Sequence, residues 1–149
     1  MAFKFNLEQI LQYRNGLENQ AQEELAKRNQ AMEEEARRLA MMQEEEVNVR
    51  GYCRLQEDRE VDLTYLDQAH RYLNFLEGRI VQQAQEKEKA REKVDEQREE
   101  LRRCWQERRV MEILKEKAWE NYKHEEKRAE RMVIDELTLN SFARNSGGS

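Results

Sequence analysis

The chain has 149 residues, 40% of them charged, five glycines and no proline. Its 27 basic and 32 acidic residues are interleaved and leave a net charge of −5, which excludes the dense basic patch that nucleic acid requires. No segment approaches the run of roughly 20 apolar residues that spans a bilayer, and the opening MAFKFNLEQI lacks an apolar signal core.

Nothing obliges a helix to end where proline is missing. Ala, Leu, Glu, Lys, Arg and Gln dominate, as they do in long helices and coiled coils. The first periodic stretch runs from about residue 7 to about residue 55. Its stripe reads Leu7, Ile10/Leu11, Arg14, Leu17, Ala21, Leu25, Arg28, Met32, Ala36, Leu39, Met42, Val49 and Cys53. Asn6 suits an N-cap, with Glu8 in the first turn to complement the dipole. Gly16 costs about 1 kcal/mol within a helix and predicts fraying near the start.

A break follows at about residues 56–62. Asp62 is a candidate N-cap for the second helix, and Val61 with Leu66 would form a hydrophobic staple. From about residue 63 to about residue 140, one register holds for eleven heptads. Every seventh residue gives Leu66, Leu73, Ile80, Lys87, Val94, Leu101, Arg108, Lys115, Tyr122, Ala129 and Glu136. The companion series gives Ala69, Leu76, Gln83, Ala90, Gln97, Cys104, Met111, Ala118, Glu125, Met132 and Leu139; 15 of these 22 positions are apolar. A seam this regular needs a partner helix. The short break makes the first helix that partner. The fold class is therefore all-α, an antiparallel two-helix coiled-coil hairpin with a longer second helix, one domain over residues 1–144. Residues 145–149 read as a flexible tail.

Helix 1 would be roughly 70 Å long and helix 2 roughly 115 Å. A bend at residue 59 pairs residues whose numbers sum to about 118. That register leaves helix 2 beyond about Leu114 without a partner, an unpaired seam about 25 residues long. It also sets Cys53 and Cys104 roughly 60 Å apart, too far for an intramolecular disulfide. Charged seam residues such as Arg14 and Arg108 are expected to lay their stems on the seam and send their heads into water.

Three groups stand off the seam. Tyr72, Phe75, Leu76 and Arg79 follow i, i+3, i+4, i+7 spacing just past the bend, with Tyr65 nearby. Aromatics with Arg make an interface hot spot; alternatively the tyrosines cap a thin coiled coil. Trp105 and Trp119 share a flanking heptad position. Trp105 would cover the start of helix 1, while Trp119 would have nothing of its own chain to cover. Finally Met132, Val133, Ile134, Leu137, Leu139 and Phe142 point in more than one direction. A sleeve or ring could bury them all; the alternative is dimerisation through the overhangs. No glycine-rich phosphate loop, nucleophile elbow or metal-spaced His/Cys set is present, so neither catalysis nor a cofactor is expected.

The start, Phe3-x-Phe5-x-Leu7, Ile10-Leu11, Tyr13-Arg14, Glu18, Ala21, Leu25-Ala26, resembles the opening of the FliJ family of flagellar export proteins. The later stretch Met111-Glu112-x-Leu114-Lys115-Glu116, Tyr122, Glu125-Glu126, Arg128, Glu130, Asp135-Glu136 and Phe142 is similar to that family's C-terminal signature. The resemblance implies an antiparallel coiled coil like the rotor stalk of the F-type ATP synthase. It implies a non-enzymatic stalk or adaptor of the flagellar type III export apparatus that associates with the hexameric export ATPase, promotes its assembly and activity, and links it to the export-gate membrane protein and export chaperones. Carried over by position, Tyr13, Arg14, Trp119, Tyr122, Met132, Val133, Asp135, Glu136 and Leu137 would meet the ATPase, and Tyr72, Phe75, Leu76, Arg79 and Gln83 would face the gate. Location would be cytoplasmic, peripheral at the inner membrane, without direct membrane insertion and without nucleic acid. A structural or dimerising coiled coil, or the equivalent stalk of a virulence secretion system, is the alternative.

Overall fold

A computed structural model describes residues 2–57 and 63–147. The expected staple between Val61 and Leu66 and the expected cap at Asp62 involve residues outside that set. Two helices, α1 over Glu8–Glu57 and α2 over Leu63–Ser146, account for almost all of it. They form an antiparallel hairpin in which α2 is the longer, at 84 residues against 50. Uninterrupted helix of this length follows from the absence of proline and from strong helix formers at the exposed positions.

The ends differ from the expected ones for local reasons. The carbonyl of Leu7 accepts the first helical bond, from Leu11 N at 3.0 Å, so Leu7 rather than Asn6 caps α1. A tighter turn precedes it, with Glu8 N donating to the Phe5 carbonyl at 3.1 Å. At the far end α2 runs past residue 140 to Ser146. Ser146 Oγ and Gly147 N both donate to the Ala143 carbonyl, at 3.2 and 3.1 Å, and satisfy one of the helix's last acceptors.

The heptad series locates the packed face of α2. Of its 17 positions from Leu66 to Tyr122, every one but Lys87 is buried or half-buried. On α1 the same holds for the stripe from Leu11 to Cys53, whereas Leu7 and Ile10 stay exposed. The chain falls into two compact units.

The first unit is Asn19–Arg103. Its seam buries Ala21, Leu39, Cys53, Leu76 and Val94, the last only 1% exposed. Two buried glutamines fix the register. Gln97 Nε2 donates to the Ala21 carbonyl at 3.1 Å, and Gln83 Nε2 to the Glu35 carbonyl at 3.0 Å. Both pairs have residue numbers summing to 118, the expected register. Arg28 adds a bond to the Lys93 carbonyl at 3.0 Å. An amide facing a carbonyl tolerates no slip, because a shifted Gln would leave a buried donor unpaired.

The second unit is Met1–Glu18 with Cys104–Ser149. Here the seam is largely ionic. Buried Leu11 and Cys104 are joined by Lys115–Glu8 at 2.8 Å, by Arg14–Glu107, and by Arg108 held between Glu18 and Glu112. The expectation that Arg108 reaches water fails: its side chain is only 16% exposed and that of Glu18 12%. Two acids close to one guanidinium hold it inside, because the paired charges stay hydrogen-bonded there. Glu18 entered the sequence reading only through the family resemblance, with no place in the seam.

Candidate functional site

The end of α2 is bare in the second unit. From Lys123 to Gly147 every residue is exposed, although the heptad continues through Ala129, Met132 and Leu139. Met132, Val133, Leu137 and Leu139 are 56, 55, 63 and 67% exposed. At 100° per residue these do not share one face. Ala129, Met132 and Leu139 prolong the seam, while Ile134, Leu137 and Phe142 lie on another side, around a shallow depression shared with Thr138, Ser141 and Asn145. Asp135 and Glu136 lie exposed within the same turns. A water-exposed apolar surface on more than one side of a helix is the signature of a partner site.

The bare stretch begins later than Leu114, and Trp119 is not without a partner in its own chain. The segment before α1 lies back on α2. The Phe3 ring stands edge-on to Trp119 with centroids 5.1 Å apart and meets Tyr122 at 5.4 Å. Trp119 and Tyr122 stack at 5.7 Å, and Lys123 Nζ sits 4.9 Å from the centre of the Trp119 ring. Sequence reasoning missed this cluster because Phe3 belongs to no heptad. The one available signal was a pair of phenylalanines, Phe3 and Phe5, ahead of the helix. Of the two other residues carried to the ATPase side, Tyr13 is 64% exposed and Arg14 is engaged with Glu107. Trp105, expected to cover the start of α1, remains 47% exposed.

The second candidate surface lies in the unit Asn19–Arg103. Tyr72 and Phe75 are 41 and 63% exposed and pack ring on ring at 6.5 Å; Arg79 is exposed beside them. Leu76 and Gln83 are instead buried in the seam, Gln83 bonded to Glu35. The i, i+3, i+4, i+7 set therefore divides: a helix with a packed face turns some members of any such set inward. Tyr72 Oη donates to the carboxylate of Glu45 on α1. That bond, and to a lesser degree partial desolvation, pushes the Tyr72 phenol above its ordinary range.

In the second unit Arg109 bridges Glu112 at 3.0 Å and Glu116 at 3.3 Å. The Arg109 bond, then that of Arg108, holds the Glu112 carboxyl below the usual carboxylate range. Arg109 and Glu112 are half-buried and Glu116 is exposed. Among the described residues no cluster of His, Cys, Asp or Glu could hold a metal ion, and no helix is long and apolar enough to cross a membrane. Both cysteines are buried thiols outside any disulfide.

No curated protein and no solved structure matches the chain. The model of the family described as flagellar FliJ protein does match, over residues 3–147, and with nearly the whole length matched the chain belongs to the FliJ family.

Proposed function

We propose that this protein is a non-enzymatic adaptor that docks on the hexameric export ATPase through the end of α2, promotes its assembly and activity, and links it to the export gate and to export chaperones. Family membership makes it a component of the flagellar export apparatus; the partners are our reading. One observation carries it above all: from Lys123 onward α2 is exposed all round and presents apolar residues on more than one side. A single partner helix covers one stripe, whereas a ring of subunits can bury both.

In this reading Met132, Val133 and Leu137 are the anchors on the ATPase, with Asp135 and Glu136 setting orientation and Tyr13, Arg14, Trp119 and Tyr122 at the margin. Tyr72, Phe75 and Arg79 form the face offered to the gate. Leu76 supports that face from within, and Gln83 fixes the register beneath it. The protein would act in the cytoplasm, held at the inner membrane by its partners.

The test is hydrolysis by the purified hexameric ATPase with the full chain and with a chain ending at Lys123. Stimulation by the full chain and its loss on truncation is the expected result. Equal stimulation by both chains refutes the assignment of this surface.

A further inference from the structure

The unit Met1–Glu18 with Cys104–Ser149 is held together unlike its neighbour, and the difference has a mechanical consequence. Along α1 between Asn19 and Glu57, apolar contact is made by Ala21, Leu25, Met32, Ala36, Leu39, Met42, Val49 and Cys53, and polar links by Arg28, Glu35, Glu45 and Arg50 are spread among them. Residues 2–18 contribute four apolar side chains in all, Leu11 and half-buried Leu17 with Phe3 and Phe5 ahead of the helix, half the number of the longer stretch. The remaining contacts are charged: Glu8 to Lys115, Arg14 to Glu107, Glu18 to Arg108. Two of these ion pairs are partly exposed and the third is buried; either kind returns little net stability, because the charges gain hydration when the pair separates.

Gly16 lies within the same stretch. A Cβ built there meets nothing within 4 Å, and no glycine of the described chain has positive φ. Neither packing nor backbone geometry requires a glycine at that position. Its effect is to weaken α1 there.

We propose that residues 2–18 form a releasable arm. It closes over α2 between Cys104 and Tyr122, is latched at its tip by Phe3 on Trp119 and Tyr122, and opens locally while the rest of α1 stays packed. Opening uncovers Cys104, Met111, Ala118 and Tyr122. These residues continue, on the same heptad, the apolar face that is already bare from Ala129 to Leu139. The arm thus sets how much of α2 a partner can reach. The proposal does not rest on which partner that is.

Cys104 is a built-in reporter. It is 7% exposed and lies one turn before Arg108, which the arm's Glu18 holds. Cys53, 3% exposed in the other unit, is the control. The experiment is maleimide labelling of the native full-length chain, resolved by peptide mass and normalised to the urea-unfolded rate. Amide exchange is followed in parallel.

Gly16→Ala should slow Cys104 labelling about fivefold, the factor that corresponds to a helical glycine's cost of about 1 kcal/mol, and leave Cys53 unchanged. Phe3→Ala should hasten Cys104 labelling severalfold, again with Cys53 unchanged. Amides of residues 8–18 should exchange faster than those of residues 21–50, as one group. The proposal is overturned if Gly16→Ala and Phe3→Ala leave the Cys104 rate where it was, if they move both cysteines together, or if the two stretches of α1 exchange alike. Because Gly16→Ala strengthens the helix, a failure to fold does not confuse its reading.

Discussion

Replacing the ion pair of the seam, one partner at a time and then together, gives a sharp test of how the second unit is held. Arg108 occupies a heptad position where most coiled coils place an apolar residue. Its guanidinium touches the carboxylates of Glu18 and Glu112. Two opposite charges at about 4 Å attract by about 4 kcal/mol at an effective dielectric near 20, and withdrawing both from water offsets most of that. Glu18→Leu removes one acid, but Arg108 keeps Glu112, so the cost should be about 1 kcal/mol. Arg108→Leu strands Glu18, whose side chain is 12% exposed; this should cost about 3 kcal/mol, the range for an uncompensated buried charge. The double variant removes both charges and extends the apolar seam. It should be as stable as the parent or more so, which puts the coupling at about 4 kcal/mol or more in magnitude, well above the few tenths expected of independent sites. The assay is urea unfolding followed by circular dichroism at 222 nm, with amide exchange at residues 8–18 as the local readout. If the single effects add to within about 0.5 kcal/mol, the two side chains are not partners, and the ionic account of this seam is refuted.

Leu76→Ala should cost about 2–3 kcal/mol in urea unfolding, the low end for a core leucine, since a two-helix seam collapses readily around the gap. The Tyr72 phenol, held above its ordinary range by Glu45, stabilises the hairpin below the unfolded tyrosine value. That contribution is lost as pH rises through the raised folded value; Tyr72→Phe should flatten the alkaline part of the unfolding profile, and the difference in absorbance at 295 nm between parent and variant isolates the Tyr72 titration from that of the other four tyrosines. The Glu112 carboxyl, held low by Arg109 and Arg108, contributes above the unfolded carboxylate value and ceases to as pH falls through its lowered one. Glu112→Gln should accordingly flatten the acid limb, with carbon NMR of the carboxyl as the check.

Period alone identified the packed face of α2. Leu66 through Tyr122 lie where a seven-residue repeat puts them, because only one side of a helix can meet a single partner. Lys87 shows the limit: a seam residue with a long charged side chain can leave the interface altogether. Other features were illegible for stated reasons. The burial of Glu18 depends on the exact level at which α1 meets Arg108, which periodicity does not supply. Leu76 was grouped with Tyr72 by spacing and Gln83 through the family resemblance, although both hold heptad positions, which fall on the packed side. Phe3 lies outside every repeat, so its seat on Trp119 and Tyr122 is visible only in three dimensions. The length of bare α2 followed from assuming that cover ends where α1 ends. A few extended residues before a helix reach further per residue than the helix does, about 3.3 Å against 1.5 Å, and that extra reach carries Phe3 to Tyr122.

Polar groups in the seam therefore act chiefly on register. In the unit Asn19–Arg103 two glutamine amides address two backbone carbonyls. In the other unit Glu8, Arg14 and Glu18 each address one opposite charge. An apolar seam could slide by a heptad and remain apolar. Such a slide in the second unit would bring Glu8 from Lys115 to Arg108, a workable pair, but would carry Arg14 off Glu107 and Glu18 off Arg108. It would also pull Phe3 off Trp119 and lengthen the exposed part of α2 by about 10 Å. Losing the buried Glu18–Arg108 pair alone makes that alternative costly. The stability lost by placing charges in the seam is the cost of fixing where α2 emerges, and for a surface that must meet a partner at one level, that position matters more than the last few kcal/mol of packing.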